Sequence, residues 1–61
     1  MSGLEQKFLK AYANLPEPER EQVIAIIAGK TYSWNNAYRE VEAKTILGEQ
    51  ILAHMHEVGI L

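Results

Sequence analysis

The sequence predicts an all-α fold, a small three-helix domain in which the C-terminal helix is the longest. Three apolar patterns support this prediction. From Ser33 to Leu61, apolar and small residues recur at alternating spacings of four and three, as in a helix that packs along one stripe. Shorter stripes of the same period lie near the N-terminus and after a pair of prolines. A chain of 61 residues allows one core, so we expect a single domain, residues 1–61.

The composition limits the classes of protein that this chain can belong to. It contains no cysteine, which excludes disulfide bonds and thiolate zinc sites. A hydrophobic fraction of 48% is typical of a folded domain and argues against disorder. The formal net charge of −2 argues against nucleic acid as the main partner, because small nucleic-acid-binding domains are usually basic. No secretory signal and no long apolar run is visible, so we expect a cytoplasmic protein without a membrane span.

The first helix is predicted over residues 4–13. Ser2 is suited to its N-cap, with Glu5 three residues later as in a capping box. Asn14 is suited to its end, since asparagine tolerates the left-handed conformation. Its apolar residues recur at helical spacing: Leu4, Phe8, Leu9, Ala11 and Tyr12.

The second helix is predicted over residues 17–28. Pro16 and Pro18 mark its start, where three glutamates also favour a helix N-terminus. Gly29 is placed as its C-terminal stop. The alternative is a strand, because the run VIAII at residues 23–27 is rich in β-branched residues. The proline-marked acidic start favours the helix.

The third helix is predicted to begin after Ser33, and both of its ends carry capping signals. Ser33 is suited to the N-cap position. At the other end, Gly59 is suited to the position just after the helix, and Ile60 is expected to fold back onto Met55. The last two residues are therefore expected to be docked.

The continuity of this helix is left open. In an unbroken helix Ile46 and Leu47 lie on an otherwise polar face, where a second chain would have to cover them. If the helix breaks near Lys44, Thr45 becomes the N-cap of a fourth helix and the two aliphatic residues turn inward. The run Glu-Ala-Lys and the absence of proline favour continuity, whereas Gly48 weakens it.

The apolar surface exceeds what three short helices can cover, and exposed patches of this extent usually mark interfaces. Gly48, with Thr45 one turn earlier, would allow a second backbone to approach closely. We therefore expect a two-fold homodimer built on the C-terminal half. Its predicted interface comprises Tyr32, Ile46, Leu47, Gly48, Ile51 and Met55. The predicted core comprises Leu4, Phe8, Tyr12, Leu15, Val23, Ile27, Trp34, Tyr38, Val41, Ile51, Leu52, Met55 and Val58.

Residues suited to catalysis or metal binding are few. His54 and His56 are two apart, so on a helix they point about 200° from one another and cannot share one metal ion. The triplet at residues 29–31, Gly-Lys-Thr, lacks the upstream glycine of a phosphate-binding loop. A domain of this size also leaves little room for a substrate pocket. We therefore expect no enzymatic activity, no metal, no cofactor and no small-molecule substrate.

Residues 21–44 point to a second function class. Ala25, Gly29 and Tyr38 fall where a helix-turn-helix requires a small residue, a turn glycine and a buried apolar residue. The sequence LPEPER from Leu15, followed by Val-Ile and later Tyr-Ser, resembles the first half of a sigma-factor region-4 domain. That resemblance implies DNA binding, but the glycine-containing turn and recognition helix of such domains do not follow.

The residues that would contact nucleic acid under this alternative are Lys30, Asn35, Asn36, Arg39 and Lys44. Glu40 and Glu42 share the same segment, and their charge would oppose contacts with phosphate. The sequence therefore favours a small non-catalytic protein-interaction or regulatory module that self-associates through its C-terminal helix. Another protein is a second possible partner, and a compact DNA-binding regulator is the alternative.

Overall fold

The second half of the segment predicted as the second helix belongs to a β-hairpin, so the fold is mixed α/β and the all-α prediction is wrong. The computed structural model describes residues 3–61, and the predicted N-cap Ser2 therefore lies outside the described residues. Along these residues the elements are α1 (Gly3–Ala13), a 3₁₀ turn (Glu17–Glu21), β1 (Val23–Ile27), β2 (Lys30–Ser33), α2 (Trp34–Glu42) and α3 (Ile46–Glu57).

The hairpin forms because a β-branched run is followed by a tight turn. Residues of the run VIAII favour the pleated, half-buried surface of a sheet. Ala28 and Gly29 both have positive φ angles, 53° and 80°, as a two-residue turn between antiparallel strands requires. Ile27 pairs with Lys30 across this turn. Gly29 therefore closes a hairpin, and its predicted role as a helix stop is wrong.

The two prolines and the glutamates after them begin a 3₁₀ turn, where an α-helix was predicted. Arg20 fixes this turn to the end of α1. Its Nε donates to the carbonyl oxygen of Tyr12 at 3.1 Å, and its Nη2 donates to that of Ala13 at 3.4 Å. These carbonyls belong to the last turn of α1, where they have no partner within the helix. The guanidinium also lies 4.3 Å from the centre of the Tyr12 ring.

The long helix predicted after Ser33 is broken, as the alternative with an N-cap at Thr45 requires, and the continuous helix is wrong. Lys44 has a φ of 57° and turns the chain between α2 and α3. The Thr45 Oγ1 then accepts a hydrogen bond from the Gly48 N–H at 3.0 Å. It also donates to the Glu40 Oε1 at 2.7 Å, so the same hydroxyl caps α3 and holds the end of α2.

The predicted caps at the two ends of this region are confirmed. The Ser33 side chain accepts a hydrogen bond from the Asn36 N–H at 3.2 Å, at the start of α2. After α3, Gly59 has a φ of 86° and the Ile60 N–H donates to the Met55 carbonyl at 2.8 Å. This pattern satisfies carbonyls that the helix end would otherwise leave unpaired.

The core lies where α1, α2 and α3 meet the inner face of the hairpin. Its buried residues are Phe8, Ala25, Trp34, Ala37, Val41, Ile51, Leu52 and Met55. Leu4, Tyr12, Leu15, Ile27 and Tyr38 are partly buried against this cluster. Two predicted core residues are wrong, since Val23 is 56% exposed and Val58 is 55% exposed. Val23 points outward from a strand that was read as a helix, and Val58 follows the last residue of α3.

Within residues 3–61, no helix is long and apolar enough to cross a membrane. The longest, α3, has 12 residues, whereas a span needs about 20.

Candidate protein-binding groove

An apolar groove of about 420 Å³ runs between the first strand and the C-terminal end of α3. It is lined by Val23, Ile24, Ala25, Ile26, His54, Val58 and Ile60, and we call it the β1 groove. Four of these residues are consecutive in β1. The face of a strand would contribute alternate residues, so the groove follows the edge of the strand.

The outer edge of β1 has no strand partner within residues 3–61, because the sheet consists of β1 and β2. Ile27 and Lys30 flank the two-residue turn and form a hydrogen-bonded pair. The next pair, Ile26 with Thr31, is then a non-hydrogen-bonded pair. Ile26 therefore directs its backbone N–H and C=O toward the open edge, where a further strand can bind them.

Apolar side chains border this edge on both sides. Ile26 is 61% exposed and Val23 is similarly exposed on the strand, while Val58 and Ile60 face them from the end of α3. None of the lining residues is an aspartate, glutamate, lysine or arginine. Natural proteins usually protect open edges with charged residues or proline. The edge of β1 lacks this protection, apart from a register irregularity between Val23 and Ala25.

His54 is the one titratable residue of the groove lining, and it is half-buried. His56 is exposed two residues later on α3. Among residues 3–61, no group of three or more histidine, aspartate or glutamate side chains is placed to hold a metal ion.

The residues predicted as a dimer interface do not form one open surface within the chain. Ile51 and Met55 are fully buried in the core, and Gly48 is buried as well. A Cβ atom on Gly48 would lie 2.6 Å from the Glu40 carbonyl oxygen. The backbone that approaches Gly48 therefore belongs to α2 of the same chain. Leu47 and Tyr32 are half-buried against the core, and Ile46 is 75% exposed at the start of α3. The break before Thr45 therefore turns Leu47 inward as predicted, whereas the same prediction for Ile46 is wrong.

The residues of the nucleic-acid alternative are partly engaged in the fold. Asn35 accepts a hydrogen bond from the Tyr12 hydroxyl at 2.7 Å. The Lys44 Nζ lies 3.6 Å from the Glu5 Oε1. Lys30 begins β2, and Asn36 and Arg39 are exposed on α2.

The segment 21–44 contains a hairpin followed by one helix. A helix-turn-helix over these residues is therefore not formed. The five candidate residues are divided between the hairpin, α2 and the turn that follows it.

An aromatic cluster lies outside the groove and belongs to the core. The rings of Tyr12 and Tyr38 stack at 4.4 Å, and the Phe8 ring lies 5.4 Å from that of Trp34. Trp34 is 8% exposed, so it fills the core and is not available as an interface residue. The Tyr38 hydroxyl donates a hydrogen bond to the Glu42 carboxylate.

A second cavity, of about 440 Å³, lies between the start of α1 and α3. Three of the four polar side chains at its wall already have partners, since Lys44 pairs with Glu5 and the Thr45 hydroxyl caps α3. It therefore offers less to a ligand than the β1 groove.

Sequence reasoning missed most of the groove, because it placed Val23 and Val58 in the core and assigned Ile26 to a helix. The signal that could have found it is the strand alternative for residues 23–27. Alternation along that strand would have placed Ile26 on the face opposite the buried Ala25. It would not have found the exposure of Val23, which lies at a register irregularity between Val23 and Ala25.

Comparisons with protein-family models, curated proteins and solved structures give no match to the chain. The functional assignment therefore rests on the geometry of the β1 groove.

Proposed function

We propose that this chain is a small non-catalytic protein-interaction module that binds an extended polypeptide segment along the β1 groove. The observation that carries the proposal is the uncharged open edge of β1, bordered by exposed Ile26 on the strand and Val58 on the facing wall. This surface replaces the predicted one around Ile51 and Met55, which are buried.

An extended segment would bind by adding a third strand to the sheet. The outward N–H and C=O of Ile26 would pair with its backbone, which supplies affinity without regard to sequence. Alternate side chains of the segment would then insert toward Val58 and Ile60, which supply specificity. The edge and the apolar wall thus have complementary roles.

The chemistry of the lining supports binding and not catalysis. The lining side chains are aliphatic apart from His54. The lining therefore contains neither a nucleophile nor a second acid–base group for catalysis. The absence of lysine and arginine from the lining also gives phosphate no partner. A polypeptide is the ligand class that an apolar strand edge recognises.

The proposal can be tested by selecting peptides from a random displayed library against the chain immobilised at low density, so that copies cannot meet. We expect the retained peptides to carry apolar residues at alternate positions. Ile26→Glu should reduce their retention at least about tenfold, since it places a charge in an apolar groove. Ile46→Glu is the matched control, because it introduces the same charge on another exposed isoleucine.

The control should retain the peptides as well as the native chain does. The proposal would be overturned if no peptide is retained and the chain also fails to self-associate. It would equally be overturned if the peptides bind Ile26→Glu as tightly as the native chain.

A further inference from the structure

We infer that the segment bound in the β1 groove is β1 of a second copy of this chain. Two hairpins then join edge to edge into a four-stranded antiparallel sheet, with strand order β2–β1–β1–β2 and a two-fold axis between the central strands. This inference rests on the proposed function, since it names the partner for the same groove.

The backbone geometry of β1 suits its own copy. Two identical strand edges related by a two-fold axis run antiparallel, and each presents the same groups to the other. The outward N–H and C=O of Ile26 in each copy would therefore be satisfied by the partner strand. The edge of β2 is less suitable, because it begins with Lys30 and has four residues before α2.

The charge distribution permits two copies to meet at this surface. The chain has a formal charge of −2, which opposes self-association over a long range. The groove lining contains no carboxylate, so no buried like-charge pair would form where the copies touch. Repulsion between the remaining surfaces is screened at physiological salt, where the Debye length is about 8 Å.

The size of the chain gives dimerisation a stabilising role. A domain of about 60 residues buries only about 60% of the surface of its unfolded chain, and a second subunit is a common remedy. Among residues 3–61 the core has eight buried residues, of which Ala25 and Ala37 are small. Covering Val23, Ile26 and Val58 would enlarge the apolar surface that is removed from water.

The interface is limited to one strand edge and a few side chains, so it belongs at the low end of interface sizes, below about 1,200 Å² in total. Association is therefore expected to be reversible, with a dissociation constant in the micromolar range.

Sedimentation velocity of the native chain, from about 1 to 500 μM, tests this inference directly. We expect a reversible monomer–dimer equilibrium in the native chain and in Ile46→Glu. In Ile26→Glu the dissociation constant should rise at least about tenfold, because both copies then place a carboxylate in the interface. Circular dichroism of each variant establishes that the fold is retained.

A second variant removes the strand-edge donor without changing a side chain. In a chemically synthesised chain, an ester can replace the backbone amide of Ile26. This replacement deletes the N–H that points toward the partner. The same replacement at Thr31 deletes the outward N–H of β2 and is the matched control. We expect the ester at position 26 to weaken dimerisation several-fold and the ester at position 31 to leave it unchanged.

The outcomes separate this inference from the proposed function. A native chain that stays monomeric to 500 μM while retaining library peptides would overturn the dimer and leave the groove as a site for another protein. A dimer that is lost in Ile46→Glu but persists in Ile26→Glu would overturn pairing through β1, since the contact would then lie at the start of α3. The proposed function would then be decided by the peptide library alone. Equal effects of the two esters would overturn pairing through β1.

Discussion

Gly48 allows α2 and α3 to pack at backbone distance. An added Cβ would lie 2.6 Å from the Glu40 carbonyl oxygen and 2.8 Å from its carbonyl carbon. Both atoms belong to the backbone of α2, so they cannot move aside as the end of a flexible side chain can. At Gly3, in contrast, a Cβ would meet no atom within 4 Å among the described residues.

Gly48→Ala should therefore lower the free energy of unfolding. Overpacking typically costs about 1–3 kcal/mol, which exceeds the gain of about 1 kcal/mol that alanine brings to a helix interior. Urea denaturation measures the change, with Gly3→Ala as the control that adds the same methyl group in open space. A Gly48→Ala chain more stable than the native one would show that helix propensity dominates and that the close contact is not a constraint.

Tyr38 is coupled to Glu42 one turn later on α2. The hydrogen bond that the Glu42 carboxylate accepts from the Tyr38 hydroxyl raises the pKa of Tyr38 above its ordinary value of 10.0. The negative charge of Glu42 raises this pKa further, while Arg20 acts in the opposite direction. The folded chain therefore keeps a proton on Tyr38 at pH values where the unfolded chain has lost it.

This coupling predicts a stability loss in alkali. The contribution of the pair is fully present below about pH 10 and is lost as the pH rises through the raised pKa of Tyr38. Tyr38→Phe should flatten this part of the stability profile. In a titration followed by tyrosinate absorbance, Glu42→Gln should shift one ionisation to lower pH. An unchanged titration curve would mean that the carboxylate does not act on Tyr38.

At the scale of the elements, the hairpin turn holds a strained residue. Ala28 adopts a positive φ of 53°. Residues other than glycine, asparagine and aspartate are disfavoured in this conformation by about 1–2 kcal/mol. Asparagine is preferred at this position of the turn. A substitution at Ala28 can therefore stabilise the turn without altering the core.

Ala28→Asn should stabilise the chain by roughly 0.5–1 kcal/mol, which corresponds to a rise in Tm of several degrees for a domain of this size. Ala43→Asn is the control, because Ala43 is also exposed but has a negative φ of −76°. Thermal denaturation at equal chain concentration measures both. A fall in Tm for Ala28→Asn would be the behaviour of a helix at this position and would contradict the hairpin.

The element boundaries that the sequence predicts well are those marked by a side chain with one dominant use. The N-cap at Ser33 and the glycine after α3 are confirmed because the hydroxyl and the positive φ satisfy backbone groups locally. Thr45 has the residue type of a cap, but the good helical run before it conceals the turn at Lys44, which carries no glycine or proline signal.

The hairpin was missed because its signals serve two structures equally. Proline followed by glutamate begins a 3₁₀ turn as readily as an α-helix, and Gly29 supplies a positive φ to a hairpin as readily as to a helix end. Ala28 is not a typical turn residue, so no dipeptide marked the turn. The β-branched run VIAII was the one signal specific to a strand, and it was outweighed.

The groove could not be predicted while residues 23–27 were assigned to a helix. On a helix Val23 and Ile27 share a face and enter the core. On the observed strand a register irregularity lies between Val23 and Ala25, so Val23 is exposed while Ile27 is partly buried. At the other wall, Val58 lies at the C-cap of α3 and not on its inner stripe. The exposed surface therefore arises from tertiary structure that periodicity alone does not encode.

At the scale of the whole molecule, the large apolar side chains that residues 3–61 leave exposed are Leu9 on α1 and those at two further places. One is the β1 groove, where Val23, Ile26, Val58 and Ile60 lie around an open strand edge. The other is Ile46, which stands alone at the start of α3. The groove combines apolar side chains with unpaired backbone groups, and this combination makes it the surface at which a partner strand is expected.

Hydrogen exchange at single amides, measured by NMR as a function of chain concentration, tests the central claim most directly. The outward N–H of Ile26 should exchange rapidly at low chain concentration and become protected as the concentration rises and dimers form. The N–H of Thr31, at the outer edge of β2, should exchange at the same rate throughout. An Ile26 amide whose exchange does not change while the chain dimerises would contradict strand pairing at the β1 groove.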